Sequence, residues 1–327
     1  MKTSVKANAS LKDRRIFVTG ANGFVGSHLC ERLVMENCQV TAFVRKSTTS
    51  EPTNIIHLKD RLRICYGDLR DLGTLYDATK GMDVIYHLGA QSHVPDSVRE
   101  PCGTFQVNAV GTLNCLEGAR MNDVELFVNA GSDKAYGDPS CLPLDEKHPL
   151  RPRSPYDASK VAGESICAAY HKSYGLKVCL PRFSNIYGPR QDCRKVIPDF
   201  ISYLLRDKPP IIRGDGTPVR DYIFIDDAVN AYLRLVDEPK AIGEIINFGT
   251  GIGTSVLNLC KLLINTAKLR LTPTILGQPT PGEIKEQYLD ISKAKKLLDW
   301  SPKIELAEGL SITWQWYKDH PEFLGIS

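Results

Sequence analysis

No run of apolar residues in this 327-residue chain approaches the ~20 that a membrane-spanning helix needs, so no spanning segment is expected. The first thirteen residues are polar and lack the apolar core of an export signal. Net charge is nearly absent: 41 Lys+Arg against 38 Asp+Glu leave +3. That balance provides no general basic surface for nucleic acid or an anionic membrane, and neither partner is expected. The ten cysteines form no Cys-x-x-Cys pair, and the seven histidines show no metal-ligand spacing. Neither a disulfide framework nor a structural metal is therefore expected. With no export signal, the cysteines read as reduced, mostly buried thiols and the chain as cytoplasmic. Internal repeats and low-complexity segments are also missing. What remains, 42% hydrophobic and 24% charged, is ordinary globular composition. It suffices for one large domain or two smaller ones.

Arg15-Ile16-Phe17-Val18-Thr19 reads as a short apolar strand. Gly20-Ala21-Asn22-Gly23-Phe24-Val25-Gly26 follows at once, and Leu29, Cys30, Leu33 and Val34 then repeat with helical period. In that context glycines give a tight turn that lets the backbone approach a pyrophosphate, and the helix start supplies free N–H groups and a positive dipole end. The spacing is Gly-x-x-Gly-x-x-Gly, and a purely structural glycine turn is the alternative. A second strand is expected over 39–44. Where an acidic residue would bind a ribose 2′-hydroxyl, this chain has Arg45-Lys46-Ser47-Thr48. Two cations suit a 2′-phosphate, so NADP is favoured and NAD is the other choice; a solvated basic loop is the competing reading. Further strands are expected over 62–66, ending in Gly67-Asp68-Leu69 beside the adenine, and over 84–88, ending in Gly89-Ala90. A helix over 104–121 and strands over 126–128 and Lys177–Phe183 complete the first half. Strands rich in Val, Ile and Leu alternating with helices imply a parallel sheet covered on both faces, with ligands at the strands' carboxyl ends.

The strand at 126–128 leads into Asn129-Ala130-Gly131-Ser132-Asp133-Lys134, which puts Ser132 at the sheet edge where a nicotinamide is expected. Asp133 and Lys134 are unusual there; a solvated turn is the plain reading. Tyr156-Asp157-Ala158-Ser159-Lys160 opens a helix over 156–174, with Ser154-Pro155 as its start. Four-residue spacing puts Tyr156 and Lys160 on one helical face, where an ammonium lowers a phenol's pKa and fits it for acid–base work. From Ser184 onward Pro, Gly and Arg become frequent. Helices are expected near 197–205, 227–236, Val256–Thr266 and 307–317, with a short strand over 222–225. Arg190, Arg194, Lys195, Arg213 and Arg220 could neutralise a diphosphate, with Arg194 and Lys195 better read as surface charges.

These motifs together resemble the extended short-chain dehydrogenase/reductases over nearly the whole chain, and within them the nucleotide-sugar 4,6-dehydratases and 4-epimerases. Phe43-Val44-Arg45-Lys46-Ser47 and Leu88-Gly89-Ala90-Gln91-Ser92-His93-Val94 are similar to GDP-mannose 4,6-dehydratases, whereas Ser132-Asp133-Lys134 is similar to CDP-glucose 4,6-dehydratases. Arg182-Phe183-Ser184-Asn185-Ile186-Tyr187-Gly188-Pro189-Arg190, Arg220-Asp221-Tyr222, Pro281-Gly282-Glu283 and Leu298-Asp299-Trp300-Ser301-Pro302 also resemble family segments. The resemblance implies a Rossmann-type doubly wound parallel sheet over 1–183, with a smaller α/β substrate-binding region over 184–327 interleaved with it. It implies a tightly bound, recycled cofactor touched by Gly20, Asn22, Gly23, Phe24, Val25, Gly26, Arg45, Asp68, Leu69, Leu88, Ala90, Tyr156 and Lys160. It implies catalysis by Ser132, Asp133, Lys134, Tyr156 and Lys160, and a nucleotide-diphosphate sugar held by Ser92, Asn185, Arg190 and Arg220. Many dehydratases carry Glu where this chain has Lys134. A homodimer through the helices at 104–121 and 156–174 is implied as well. A 4,6-dehydratase is the expected activity, a 4-epimerase the alternative, and a non-catalytic cofactor-binding scaffold a third reading.

Overall fold

The computed structural model describes residues 11–46, 51–278 and 284–326. The expected signature at Pro281-Gly282-Glu283, and Ser47 and Thr48 of the basic loop, lie outside the described residues. In chain order the first half runs β1 (Arg15–Thr19), α1 (Phe24–Met35), β2 (Gln39–Arg45), β3 (Arg63–Gly67), α2 (Leu72–Ala78), β4 (Val84–His87), α3 (Val94–Arg99), α4 (Pro101–Phe105), a π-helical turn (Gln106–Val110) and α5 (Gly111–Met121). It continues with β5 (Leu126–Asn129), β6 (Gly131–Ser132), α6 (Pro155–Tyr174) and β7 (Lys177–Phe183). The second half carries β8 (Asn185–Tyr187), α7 (Val196–Leu204), β9 (Ile211–Ile212), β10 (Val219–Phe224), α8 (Ile225–Val236) and β11 (Ile245–Phe248). Then come β12 (Gly253–Ser255), α9 (Val256–Thr266), β13 (Thr274–Ile275), β14 (Glu286–Gln287), α10 (Ser292–Leu298) and α11 (Leu306–Asp319). Among the described residues no helix is long and apolar enough to cross a membrane. All ten cysteines are free thiols; six are buried, and Cys102, Cys141 and Cys193 are exposed.

Two compact units account for the chain: residues 1–135, 152–182 and 229–246, and residues 136–151, 183–228 and 247–327. In the first, a sheet in the order β3-β2-β1-β4-β5-β7-β11 carries β6 as an eighth strand against β7. The pairs β1–β2, β1–β4, β2–β3, β4–β5 and β5–β7 are parallel. This is a Rossmann-type sheet, and its strand order reverses between β1 and β4. The crevice outside the carboxyl ends of strands at such a reversal is where α/β sheets take ligands. β4 and β5 are buried at every residue, as is β1 after Arg15, which is why they read as continuous apolar runs rather than alternating ones. Phe17, Phe127, Ile85 and Val178 pack with α5 and α6 residues Cys115, Leu116 and Cys167 in one core. Fully burying each such large side chain is worth roughly 1.5–3 kcal/mol.

A charged pair with both partners buried lies inside this unit. Arg182, 1% exposed, forks onto the Glu164 carboxylate of α6, with Nε donating to Oε2 at 2.8 Å and a second bond to Oε1. In the second unit a four-stranded sheet runs β12-β10-β14, with β8 on β10. Fully buried Asp221 gathers its loops by accepting from Thr250 N at 2.9 Å, Thr250 Oγ1 at 2.7 Å and Gly251 N at 3.1 Å.

Candidate active site

The turn after β1 is built from backbone. Gly20 sits at φ +67°, the left-handed region where a side chain is strained. Gly23 N donates to Gly20 O at 2.9 Å to close the turn. A Cβ on Gly26 would stand 2.2 Å from Gly20 O, and one on Gly20 would stand 2.8 Å from Gly89 Cα, so the β1 and β4 loops meet main chain to main chain. Helix α1 starts here without a side-chain cap and without an acidic residue in its first turn. Its leading N–H groups and positive end are thus left for an anion. A cradle that any Cβ would fill, ending on an uncapped helix, fits the pyrophosphate of a nicotinamide dinucleotide.

Around that turn the expected residues fall out unevenly. Phe24 and Val25 open α1 and are half-buried. Asn22 is engaged by its own chain, accepting from Asn54 N at 3.0 Å through Oδ1 and from Asn54 Nδ2 at 2.9 Å through its carbonyl. Arg45 and Lys46 are exposed at the end of β2. The Asp68 carboxylate receives Arg70 Nε at 2.9 Å and Arg70 Nη2 at 2.6 Å, and these hydrogen bonds hold it below the usual carboxylate range. Leu69 is buried, while Leu88 and Ala90 are half-buried beyond β4.

Tyr156 and Lys160 lie on α6, whose start is fixed by a reciprocal cap. Asp157 N donates to Ser154 Oγ at 3.1 Å and Ser154 N donates to Asp157 Oδ2 at 3.0 Å. Pro155 occupies the first turn, and Gly175 ends the helix at φ +70°. The Tyr156 main chain is held on both sides: its N–H donates to Ser97 Oγ at 3.1 Å, and its carbonyl accepts from Ser159 Oγ at 2.7 Å. Ser132, Asp133 and Lys134 are brought together beside it. Ser132 Oγ donates to Asp133 Oδ1 at 3.3 Å, Lys134 N donates to Ser132 Oγ at 3.2 Å, and Lys134 Nζ donates to Asp133 Oδ2 at 3.2 Å. The Asp133 carboxylate is buried; Lys134 is half-buried.

The charge states differ from the sequence-based expectation. Lys160 was expected to pull the Tyr156 phenol down, but burial pushes it up to about 12; the Ser132 hydrogen bond pulls it down, and the Asp133 and Asp157 charges push it up further. Burial also lowers Lys160 to about 8, against the opposing pull of Cys167 and Glu164. Desolvation leads both shifts, and neither group is among the causes of the other's. Asp157 is raised, chiefly by burial, while the Lys134 charge pulls it down.

Ser97 and Ser159 carried no motif signal. Asn108 had one: a polar residue inside an expected continuous helix. It proves buried in the π-helical turn, accepting from Gln91 N at 2.8 Å and donating to Gln91 O at 3.0 Å and Ser159 Oγ at 2.9 Å. Ser92 is exposed on the loop before α3. In the second unit Asn185 donates to Asp221 O at 3.1 Å, Arg220 Nη1 donates to Val219 O at 2.8 Å, and Arg190 sits at φ +66°. Arg194 forks onto its neighbour Asp192, and Arg213 is exposed.

The sequence profile of the family described as GDP-mannose 4,6-dehydratase matches residues 17–313. The chain belongs to the nucleotide-sugar dehydratase and epimerase group of the extended short-chain dehydrogenase/reductases. A putative UDP-glucose 4-epimerase of Methanocaldococcus jannaschii is 37% identical over 93% of this chain and 99% of its own length. The solved UDP-glucose 4-epimerase of Thermotoga maritima, with UDP-glucose, superimposes with a TM-score of 0.88 at 32% identity, covering 94% and 99% of the two chains. DesIV, a dTDP-glucose 4,6-dehydratase of Streptomyces venezuelae solved with NAD, also gives 0.88 at 30% identity, covering 94% and 98%. Family membership makes the protein a nucleotide-sugar enzyme that uses a nicotinamide dinucleotide. Both epimerases and dehydratases stand among its relatives, and the form bound in the DesIV structure is NAD rather than the favoured NADP.

Proposed function

We propose that the protein is a nucleotide-hexose 4,6-dehydratase, converting an NDP-hexose to its 4-keto-6-deoxy form. One observation carries the choice over the rest of the family: the Asp133–Lys134 pair joined to Ser132. A bound nicotinamide dinucleotide supplies the oxidation at C4 and the later reduction at C6, and is regenerated without net consumption. The residues of the chain handle the protons. Tyr156, as its phenolate beside Ser132 and followed one helical turn on by Lys160, takes the proton of the 4-hydroxyl. A 4-keto group acidifies C5–H, and neutral Lys134 takes that proton while protonated Asp133 gives one to the departing 6-hydroxyl, so that water is lost.

The proton count closes over the pair and Tyr156 together. Neutral amine plus carboxylic acid holds as many protons as ammonium plus carboxylate, and one transfer across the 3.2 Å Lys134–Asp133 contact converts one form to the other. Elimination leaves the pair as ammonium and carboxylate; the Lys134 ammonium returns its proton to C5 as C6 is reduced, and the proton that Tyr156 took from the 4-hydroxyl passes to the Asp133 carboxylate, which restores all three groups. Asn185, Arg190 and Arg220 are proposed to contact the substrate diphosphate, with Ser92 at the sugar. Arg45 and Lys46 favour a 2′-phosphate and hence NADP, while the DesIV relative, with its NAD, favours the other dinucleotide.

A second reading, a 4-epimerase, draws on the 37% identical relative from M. jannaschii. It uses Ser132, Tyr156 and Lys160 but has no task for an acid–base pair at C5 and C6. Incubation with UDP-, GDP-, CDP- and dTDP-hexoses, scored by mass spectrometry, separates the two. Loss of water from one of them supports the dehydratase; a C4-inverted product of unchanged mass replaces it with the epimerase.

A further inference from the structure

His87 is the last residue of β4 and is 2% exposed. Its Nδ1 lies 2.9 Å from Thr19 Oγ1 and its Nε2 lies 3.0 Å from Thr112 Oγ1. The neighbours decide which nitrogen carries hydrogen. Thr112 spends its one hydroxyl proton on the Asn108 carbonyl at 2.6 Å, so towards His87 it can only accept, and Nε2 must donate. In a neutral ring Nδ1 is then the acceptor and takes the Thr19 hydroxyl proton. Thr19 Oγ1 in turn accepts from Gly89 N at 3.0 Å. Every polar group is satisfied in one direction only: Gly89 N–H to Thr19, Thr19 to His87, His87 to Thr112, Thr112 to Asn108 O. A protonated ring would put N–H against Thr19 Oγ1, strand the Thr19 proton and bury a charge. Burial, with the Lys160 charge second, accordingly holds His87 down at about 3.

The two ends of this chain lie at the places the proposed chemistry needs. Gly89 packs on the Gly20 turn. Asn108 continues the connection, because its side-chain amide donates to Ser159 Oγ at 2.9 Å and Ser159 donates to the Tyr156 carbonyl at 2.7 Å. We propose that His87, locked as its neutral Nε2–H tautomer, is a positioning residue: it holds the dinucleotide turn and the π-helical turn at Asn108 in one register and thereby sets the place of Tyr156 relative to the cofactor. This rests on Tyr156 acting as the base at the 4-hydroxyl, which dehydratase and epimerase share.

The test uses three variants of the full-length protein: Thr112→Val, which keeps shape but removes the acceptor; Thr112→Ser, which restores a hydroxyl; and His87→Phe. Displacement of a catalytic group by about 1 Å costs on the order of 10²-fold. Thr112→Val and His87→Phe are therefore expected to lower kcat tenfold to a hundredfold, with KM for the nucleotide sugar close to wild type, and Thr112→Ser is expected to recover most of the loss. Unchanged kcat in folded Thr112→Val, or equal loss in Thr112→Val and Thr112→Ser, overturns the proposal. Nitrogen NMR of 15N-histidine-labelled protein supplies a readout independent of activity and of whether His87→Phe folds. One imidazole should remain in the Nε2–H form from about pH 5 to 8, the range in which an ordinary histidine titrates. It should move towards tautomeric averaging in Thr112→Val. A wild-type protein without turnover on any nucleotide hexose counts against the functional reading alone, and the tautomer then decides the His87 chain. An Nδ1–H or titrating His87 contradicts it.

Discussion

Adding one methyl group at Gly26 tests the dinucleotide turn. An ideal Cβ there would lie 2.2 Å from Gly20 O, 2.8 Å from Gly20 C and 3.0 Å from Ala21 Cα. Ordinary contact begins at 3.4 Å, so the oxygen must retreat by 1.2 Å. All three atoms are main chain, and no rotamer can move them aside. The Gly20 side of the turn is itself pinned, because Gly20 already meets Gly89 backbone. Overpacking of this kind costs about 1–3 kcal/mol of stability. Moving the turn away from the α1 N-terminus should also weaken dinucleotide binding tenfold or more, about 1.4 kcal/mol. The control is Gly73→Ala in the first turn of α2, where a Cβ meets only Asp71 Oδ1 at 3.4 Å. There the exchange should be neutral or stabilise by up to ~1 kcal/mol. Calorimetric titration with NAD and NADP and a thermal melt of both variants give the answer. Wild-type affinity and stability in Gly26→Ala would refute the assignment of this turn to the pyrophosphate.

Tyr156→Phe keeps the ring and removes the titrating hydroxyl; turnover should fall by at least ~10²-fold with nucleotide-sugar binding nearly intact in calorimetry, and near-normal turnover excludes Tyr156 as the base. Glu164→Gln leaves the Arg182 charge buried against a neutral partner and should destabilise the fold by about 3–5 kcal/mol in denaturant titration; it also removes a carboxylate that raises Lys160, so the lysine should titrate lower than in wild type. Arg45→Asp should weaken NADP far more than NAD, and equal affinities before and after the change count against selection of a 2′-phosphate at β2.

Much of the fold is written locally. The β1 limits follow from the apolar run between Arg15 and Gly20, and α6 shows its own ends, Ser154-Pro155 at the start and Gly175 at the close. The segment at 104–121 does not declare itself in the same way. Periodicity gives one helix, whereas the chain passes through α4, a π-helical turn and α5. A single π-helical turn has no residue-type signature of its own, and it is within that turn that Asn108 meets Gln91 and Ser159. Motif spacing brought Ser132, Asp133, Lys134, Tyr156 and Lys160 into view, but the charge states are tertiary properties. The four-residue step from Tyr156 to Lys160 says nothing of the desolvation that pushes the phenol up and the amine down. Likewise His87 looks like any apolar-strand histidine until Thr19 and Thr112, distant in sequence, are found on its two nitrogens.

Dehydration of a nucleotide hexose in deuterated water, by wild type and by Lys134→Met, tests the central claim most directly. Methionine keeps much of the lysine stem but cannot take a proton. Wild type should yield a product lighter by one water, with exchange of hydrogen at C5. Lys134→Met should stop water loss and C5 exchange, while C4 oxidation and a reduced-cofactor absorbance persist. A wild-type product of unchanged mass, inverted at C4 and free of deuterium at C5, would contradict the account and make the enzyme an epimerase.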